Sequence, residues 1–207
     1  MMRHDPREPS GPEQPTLAKS WFGDPLAATA VQNAIQQYIG GFGHGLCRLP
    51  HTVLFGPEGC GKESVIEIAA TAFGLPLVTI DVPAVLRNGT RNTLLQSLAE
   101  ALRAKGQFQL AIVHVRGLDR ASQGFLEELS TWITGERVTV LAQGRALKVQ
   151  TGDLLYFATA TVRPTSRIGF LRPRSDGRSA DVDGMAAPFR HRVWVTPPTR
   201  EQLSRAL

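Results

Sequence analysis

The chain contains little that would place it outside the cell or in a membrane. Two cysteines, Cys47 and Cys60, occur in 207 residues, too few for the disulfide framework that stabilises small secreted domains. No apolar run approaches the roughly 18 residues that a membrane span requires, and residues 1–20 are polar and rich in proline, unlike a secretory signal. We therefore expect a cytoplasmic protein, with residues 1–20 as a disordered lead.

An excess of one charge is also missing from most of the chain. Residues 1–162 hold 14 Lys and Arg against 14 Asp and Glu, whereas residues 163–207 hold 9 Arg against 4 acids. The last segment thus carries the whole formal net charge of +5. Such a segment can bind nucleic acid or an acidic surface, but it does not interleave aromatic residues with arginine as single-strand binders do. We expect a solvated or subunit-facing segment, with nucleic-acid binding as the alternative.

A glycine-rich segment follows the apolar residues 53–55 and matches most of the pattern G-x-x-x-x-G-K-[ST]. In that pattern successive backbone N–H groups surround phosphates, the lysine reaches the β and γ oxygens, and the final hydroxyl binds Mg²⁺. The segment predicts a nucleotide-binding loop made of Gly56, Pro57, Glu58, Gly59, Cys60, Gly61, Lys62, Glu63 and Ser64.

Apolar strands alternate with amphipathic helices around this loop, a pattern typical of an α/β fold with a parallel sheet and helices on both faces. The predicted helices cover residues 21–40, 63–73, 93–105 and 124–133, and another opens at Thr199. The predicted strands cover residues 52–55, 77–82, 110–115, 154–159 and 193–195. Residues 138–141 and 146–150 alternate like a hairpin, and residues 163–187 predict a long loop. The 77–82 strand is apolar on both faces, which predicts a buried position.

The order of these segments resembles the large AAA+ subdomain of the Clp-type unfoldases, in particular the second ATPase ring of the two-ring members. The resemblance covers residues 21–207 and is carried by "FGDPLAATAVQNAI", "GPEGCGKE", "VTIDVP", a hairpin before "LLYFATAT", and "FRHRVWVTPPTREQL". It implies a P-loop NTPase fold with a β-hairpin inserted before the fourth core strand. The small helical lid of the family would begin where the chain stops, so the lid is either absent or truncated.

The resemblance also implies that ATP or ADP binds between the subunits of a ring. Residues Gly56 to Lys62 match the phosphate loop, and Thr159 matches the position that senses the γ-phosphate. Arg192 matches the arginine finger that reaches a neighbour's nucleotide, although a surface arginine beside a strand is the alternative. Protein partners are therefore expected, as a homo-oligomer or a hetero-oligomer.

Three residues depart from the family at the catalytic positions. Glu63 replaces the hydroxyl that binds Mg²⁺, and Ser64 lies about 100° further around the helix, so it is no substitute. Arg116 and Gly117 stand where the family has Asp-Glu, the pair that supports the metal and orients the attacking water. Glu63 and Arg116 converge on the metal position in this fold, so we predict that they form a salt bridge; the alternative is that both point to solvent.

Other features also argue against a working unfoldase. Residues 83–93 contain no aromatic residue, whereas the unfoldases carry an aromatic pore loop between the second and third strands. His114 on an apolar strand is interpreted as a core residue, and no metal ligands are identified. The sequence therefore predicts a degenerate module with weak or lost nucleotide binding and doubtful Mg²⁺ binding. The alternative is an active ATPase in which Glu63, Asp119 or Glu127 has rebuilt the site.

Overall fold

The computed structural model describes residues 23–41, 49–88, 110–134, 138–142, 145–149, 151–161, 186–200 and 204. The elements in chain order are α1 (Pro25–Gly41), β1 (Thr52–Gly56), α2 (Lys62–Ala72), β2 (Leu77–Asp81), α3 (Val82–Asn88), β3 (Ile112–Arg116), α4 (Gln123–Thr134), β4 (Val138–Ala142), β5 (Arg145–Val149), β6 (Leu155–Thr161) and β7 (His191–Trp194). The predicted lead at 1–20, the predicted helix at 93–105 and most of the predicted loop at 163–187 lie outside these residues.

Five strands form one parallel sheet in the order β2–β3–β6–β1–β7. The predicted α/β fold with a parallel sheet is thus confirmed. Because all five strands run the same way, their carboxyl ends meet at one edge, where Gly56 lies opposite Thr161 and Arg116 lies opposite both Asp81 and Thr159. This edge is where an open α/β sheet binds ligands.

Helices cover both faces of the sheet, as predicted. The side chains of β1 alternate between the faces, so Val53 and Phe55 enter one apolar core and Leu54 enters the other. The first core is closed by Phe125, Leu129, Trp132 and Ile133 of α4. The second core is closed by apolar residues of α1 and α2, which include Val31, Ile35, Val65 and Ile66.

Helix α1 begins at Pro25, four residues after the start of the predicted range 21–40, and Asp24 is its cap. The Asp24 carboxylate accepts a hydrogen bond from Leu26 N at 2.9 Å, and its other oxygen accepts bonds from Thr196 N and Thr196 Oγ1. One carboxylate therefore caps α1 and also fixes the segment that follows β7. Burial opposes ionisation of Asp24, but these hydrogen bonds outweigh it and hold its pKa below the ordinary value.

Two predictions near β2 are wrong. The strand is not buried on both faces: its exposure alternates and Thr79 is exposed, because β2 is the outermost strand of the sheet on its side. The predicted strand also ends one residue early, at Asp81, because Val82 already begins α3. This short helix was not predicted; the Asp81 carboxylate caps it by accepting Ala84 N at 3.2 Å.

The remaining elements follow the predictions closely. Strands β4 and β5 pair antiparallel as a separate two-stranded sheet, which confirms the hairpin before the fourth core strand. Strand β6 extends to Thr161, two residues past the predicted end. Of the predicted last helix, Thr199, Arg200 and Ser204 are described; Thr199 is not helical, whereas Arg200 and Ser204 are. None of the helices among the described residues is long and apolar enough to cross a membrane.

Candidate nucleotide-binding site

A cavity of about 490 Å³ opens at the carboxyl edge of the sheet. Its walls come from the loop after β1, the start of α2, the ends of β2, β3 and β6, and helix α3. The lining residues are Glu58, Gly59, Gly61, Lys62, Glu63, Ser64, Asp81, Pro83, Arg87, Arg116, Gly117, Asp119, Arg120, Thr159 and Thr161. The cavity thus joins part of the predicted phosphate loop, from Glu58 to Ser64 without Cys60, with Arg116, Gly117 and Thr159. Gly56, Pro57 and Cys60 of the predicted loop do not line it.

The phosphate loop has the backbone conformation that its glycines predict. Gly59 and Gly61 adopt φ angles of +75° and +89°, in the left-handed region that disfavours residues with a Cβ. Gly61 directly precedes α2, so the loop ends at a helix N-terminus with unpaired backbone N–H groups. Turns of this kind form a concave group of N–H donors that binds phosphate oxygens.

Gly56 is required for a different reason. A Cβ at this position would lie 2.4 Å from Val195 O and 2.9 Å from Cys60 Sγ. Val195 N donates to Phe55 O at 2.7 Å, which holds the segment after β7 against the loop. The segment after β7 therefore holds the phosphate loop in place, in addition to the turns of the loop itself.

Lys62 is buried and bound to the loop itself. Its Nζ donates to Gly56 O at 2.9 Å and to Pro57 O at 2.6 Å, and lies 3.6 Å from Cys60 Sγ. Cys60 is buried, as expected for a residue that fills the loop. To contact a phosphate, the lysine has to exchange at least one of the carbonyl oxygens for a phosphate oxygen.

Glu63 and Arg116 form the ion pair that the sequence predicts. The Arg116 Nε atom lies 3.0 Å from Glu63 Oε1, so the alternative in which both point to solvent without meeting is wrong. However, the Arg116 side chain is 52% exposed and the Glu63 side chain 38%, so burial does not force the pairing. Exposed pairs of this kind contribute about 0.2–1 kcal/mol to stability, so this one opens at little cost.

The acidic side chains that could have replaced the lost groups are engaged elsewhere in the chain. Asp119 Oδ1 accepts a hydrogen bond from Thr161 N at 2.9 Å, so Asp119 binds the end of β6. Glu127 does not line the cavity; it accepts a hydrogen bond from Gln123 Nε2 at 3.1 Å along α4. Over the part of the chain that the structure describes, no three His, Cys, Asp or Glu side chains are grouped to hold a metal ion. Glu63, Asp119 and Glu127 are thus each bonded to another group of the chain.

The backbone at Gly117 is also shaped for glycine. Its φ angle is +73°, and it starts the short 3-10 turn Leu118–Arg120. A Cβ there would lie 3.2 Å from Pro83 Cδ. The position that the resemblance aligns with the family's glutamate is thus a glycine, and any residue with a Cβ would be strained there.

Thr159 lines the cavity but its hydroxyl is already bonded. Thr159 Oγ1 lies 3.1 Å from His114 Nε2, and both side chains are buried. Burial, with a smaller effect of Arg116, lowers the pKa of His114 to about 4, so the imidazole is neutral near pH 7. Thr159 lies inside β6 rather than at its end, and Thr161 is the threonine that ends the strand at the cavity.

Arg192 does not belong to this cavity. It is exposed on β7, the other outer strand of the sheet, opposite Val53. An arginine finger acts on the nucleotide of a neighbouring subunit, so a place away from the chain's own phosphate loop agrees with the predicted role without testing it.

Sequence reasoning missed five cavity residues: Asp81, Pro83, Arg87, Arg120 and Thr161. None of them belongs to the phosphate-loop motif. The detectable signal is position, since Asp81 and Thr161 end parallel strands and Arg120 follows β3 after three residues.

The family assignment rests on a profile described as "ATPase family associated with various cellular activities (AAA)", which matches residues 52–163, just over half of the chain. The chain belongs to the AAA family. The matched region of this AAA protein runs from β1 past β6 and includes the phosphate loop, Arg116, Gly117 and Thr159. No curated protein matches the chain. AAA domains bind nucleotides and commonly form oligomers, so ATP or ADP is a plausible ligand of the cavity.

Proposed function

We propose that this AAA module does not hydrolyse ATP and serves as a structural or regulatory subunit of a protein complex. Nucleotide binding at its phosphate loop is weak or lost. The observation that carries the proposal is the Glu63–Arg116 ion pair at the position where AAA ATPases hold their metal. The phosphate loop around it keeps its glycine conformations, so the departures lie on the catalytic side of the site.

Phosphoryl transfer depends mainly on charge stabilisation and on positioning of the attacking group. The metal supplies the first by bridging the β and γ oxygens, and a carboxylate supplies the second by orienting water. Here Glu63 is paired with Arg116, and Gly117 has no side chain with which to orient water. Both requirements are therefore unmet by the residues at these positions.

The alternative of an active ATPase with a rebuilt site draws no support from the acids that could have replaced the lost groups. Asp119 is engaged with the backbone of β6, and Glu127 lies outside the cavity. An unfoldase activity like that of the Clp proteins is also not proposed, because α3 follows β2 where those proteins carry an aromatic pore loop and its residues include no aromatic side chain.

The test is a phosphate-release assay on the purified chain with ATP and Mg²⁺, run beside calorimetric titration of ATP and ADP. We expect no release above that of a Lys62→Ala variant, which removes the lysine of the phosphate loop. Release that exceeds the variant and depends on Mg²⁺ would contradict the proposal.

The regulatory role that we propose is donation of an arginine finger to an active AAA subunit. Such a finger requires only geometry and charge, which an inactive subunit can supply. Arg192 is exposed on an outer strand, as a donated side chain must be. Arg192→Ala should lower the ATPase rate of the isolated complex, whereas Arg190→Ala, at an exposed neighbour, should not. Equal rates for both variants would remove the role.

We also propose a cytoplasmic location, because the chain has only two cysteines and a reducing compartment suits it.

A further inference from the structure

We infer that Arg116 replaces the metal ion as the phosphate-binding cation, so that the ligand of this site is a metal-free nucleoside triphosphate. Glu63 then competes with the ligand for the same guanidinium. This inference rests on the proposed function, in the form in which the phosphate loop still binds nucleotide. It goes beyond loss of catalysis because it predicts how the affinity for the triphosphate responds to Mg²⁺ and to substitution of Arg116 or Glu63.

The geometry places the guanidinium beside the phosphate loop. Arg116 is the last residue of β3 and lines the same cavity as Gly59, Gly61 and Lys62. Its Nε lies 3.0 Å from the carboxylate of Glu63, the residue that directly follows the loop lysine. The guanidinium therefore reaches the start of α2, where the bound phosphates of a P-loop protein lie.

The position of Arg116, rather than the net charge of the cavity, favours an anion without its metal. The lining contains four cationic residues and four acids: Lys62, Arg87, Arg116 and Arg120 against Glu58, Glu63, Asp81 and Asp119. Two of the acids are engaged by backbone N–H groups, Asp81 by Ala84 and Asp119 by Thr161. A divalent cation that enters beside Arg116 is repelled by the guanidinium, whereas a metal-free triphosphate is attracted to it and carries more negative charge than its magnesium complex.

The ion pair is suited to exchange. Both side chains are about half exposed, so the pair opens at little cost and the released carboxylate returns to water. A guanidinium presents several N–H donors in a planar fork that matches a phosphate group, so the phosphate that replaces Glu63 gains charge-assisted hydrogen bonds. Removing the Glu63 charge should therefore strengthen binding, and removing the Arg116 charge should weaken it.

The experiment is calorimetric titration with ATP and, separately, with inorganic triphosphate, each in a chelator and in excess Mg²⁺. The parent chain should bind both ligands in the chelator and bind them more weakly in Mg²⁺. In the chelator, Arg116→Gln should weaken binding by about tenfold or more, Arg116→Lys should weaken it less, and Glu63→Gln should strengthen it by about threefold to tenfold.

Two variants control for the change in charge alone. Arg190→Gln and Glu67→Gln remove the same charges from exposed residues that do not line the cavity, and each should change affinity by less than about twofold. Thermal unfolding of every variant checks folding, and Arg116→Lys keeps the cation if Arg116→Gln proves unstable.

Three results would overturn the inference: no binding in the chelator, binding that requires Mg²⁺, or an Arg116→Gln variant that binds like Arg190→Gln. Phosphate release is measured in the same preparations and reports separately on the proposed function. Turnover with Mg²⁺ would remove the pseudo-ATPase proposal, whereas absence of both binding and turnover would remove only the role of Arg116.

Discussion

At the scale of single residues, the positions that differ from the ATPase pattern which the sequence resembles lie where strand β3 meets helix α2. Glu63 is the second residue of α2, Arg116 ends β3, and Gly117 starts the turn after it. Each change supports the others: the carboxylate has a cationic partner, and the glycine allows the backbone to turn under Pro83 at a φ of +73°. A substitution that restores the family residue at one of these positions therefore leaves the other two changes around it.

Gly117→Glu is the direct test of this dependence. The substitution restores the carboxylate of the family position, but it places a Cβ in the left-handed region and 3.2 Å from Pro83 Cδ. We expect a loss of about 1–2 kcal/mol in the free energy of unfolding and no ATP hydrolysis. Urea unfolding and phosphate release measure the two effects. Gly117→Ala should show most of the same destabilisation, and a Gly117→Glu variant that hydrolyses ATP would contradict the argument.

The residues that could be predicted are those whose position is fixed by the phosphate-loop motif. The motif places Glu63 at the metal position and the end of β3 opposite it, so the pair with Arg116 followed from the sequence. Thr161 and Arg87 could not be placed in the same way, because the first depends on where β6 ends and the second on a helix that was not predicted. Whether Thr161 and Arg87 reach the cavity depends on the register of the sheet and on the direction that the chain takes after β2.

At the scale of elements, α1 is joined to the sheet by one buried hydroxyl. Tyr38 Oη donates to Asp153 O at 2.8 Å and accepts Ala111 N at 3.1 Å, and it lies 3.3 Å from Ala111 O. Burial, above all, raises the pKa of Tyr38 to about 12, so the hydroxyl stays protonated and can donate at any pH near neutrality. The contact links α1 to the start of β3 and to the turn before β6.

Tyr38→Phe should destabilise the fold by about 1–3 kcal/mol, because it leaves Ala111 N buried without this acceptor. Tyr156→Phe is the matched control: its Oη donates only to Thr151 O at 3.0 Å among the bonds that the structure gives it, so its loss leaves a carbonyl rather than a donor. Urea unfolding of both variants should give the larger loss for Tyr38→Phe. A larger loss for Tyr156→Phe would mean that the hydroxyl of Tyr38 is not what joins α1 to the sheet.

Elements with strong periodicity and clear caps were predicted well, and the two failures have different causes. Helix α1 has its Asp24 cap and Pro25 start, and the hairpin has its alternating pattern. Strand β2 reads as apolar on both faces, yet its exposure depends on its place at the outside of the sheet, which local sequence does not record. Helix α3 is only seven residues long, too short for a periodic signal, and only the Asp81 cap with Pro83 indicates it.

At the scale of the whole molecule, two buried histidines link the fold to pH. His51 directly precedes β1, and its Nδ1 accepts a hydrogen bond from Tyr156 N at 3.1 Å. Burial, with a smaller effect of Arg190, lowers the pKa of His51 to about 4. His114 lies inside the sheet with a pKa lowered to about 4 by burial and by Arg116. Both imidazoles are therefore neutral in the folded chain and charge only when it opens or at strongly acidic pH.

The expected consequence is that stability falls with acid well above the pH at which carboxylates titrate. The ordinary histidine pKa is 6.5, so between pH 6.5 and about 4 the unfolded chain binds more protons than the folded one. The free energy of unfolding then falls as pH decreases, by up to about 3 kcal/mol for each histidine. Asp24, with its pKa held below 3.8, adds a further loss in the same direction at lower pH.

Urea unfolding from pH 8 to 4 measures the slope of the free energy of unfolding against pH. His114→Gln should reduce it by about half while His191→Gln, at an exposed histidine, should leave it unchanged; equal slopes for His114→Gln and the parent chain would show that this imidazole takes up its proton without opening the fold.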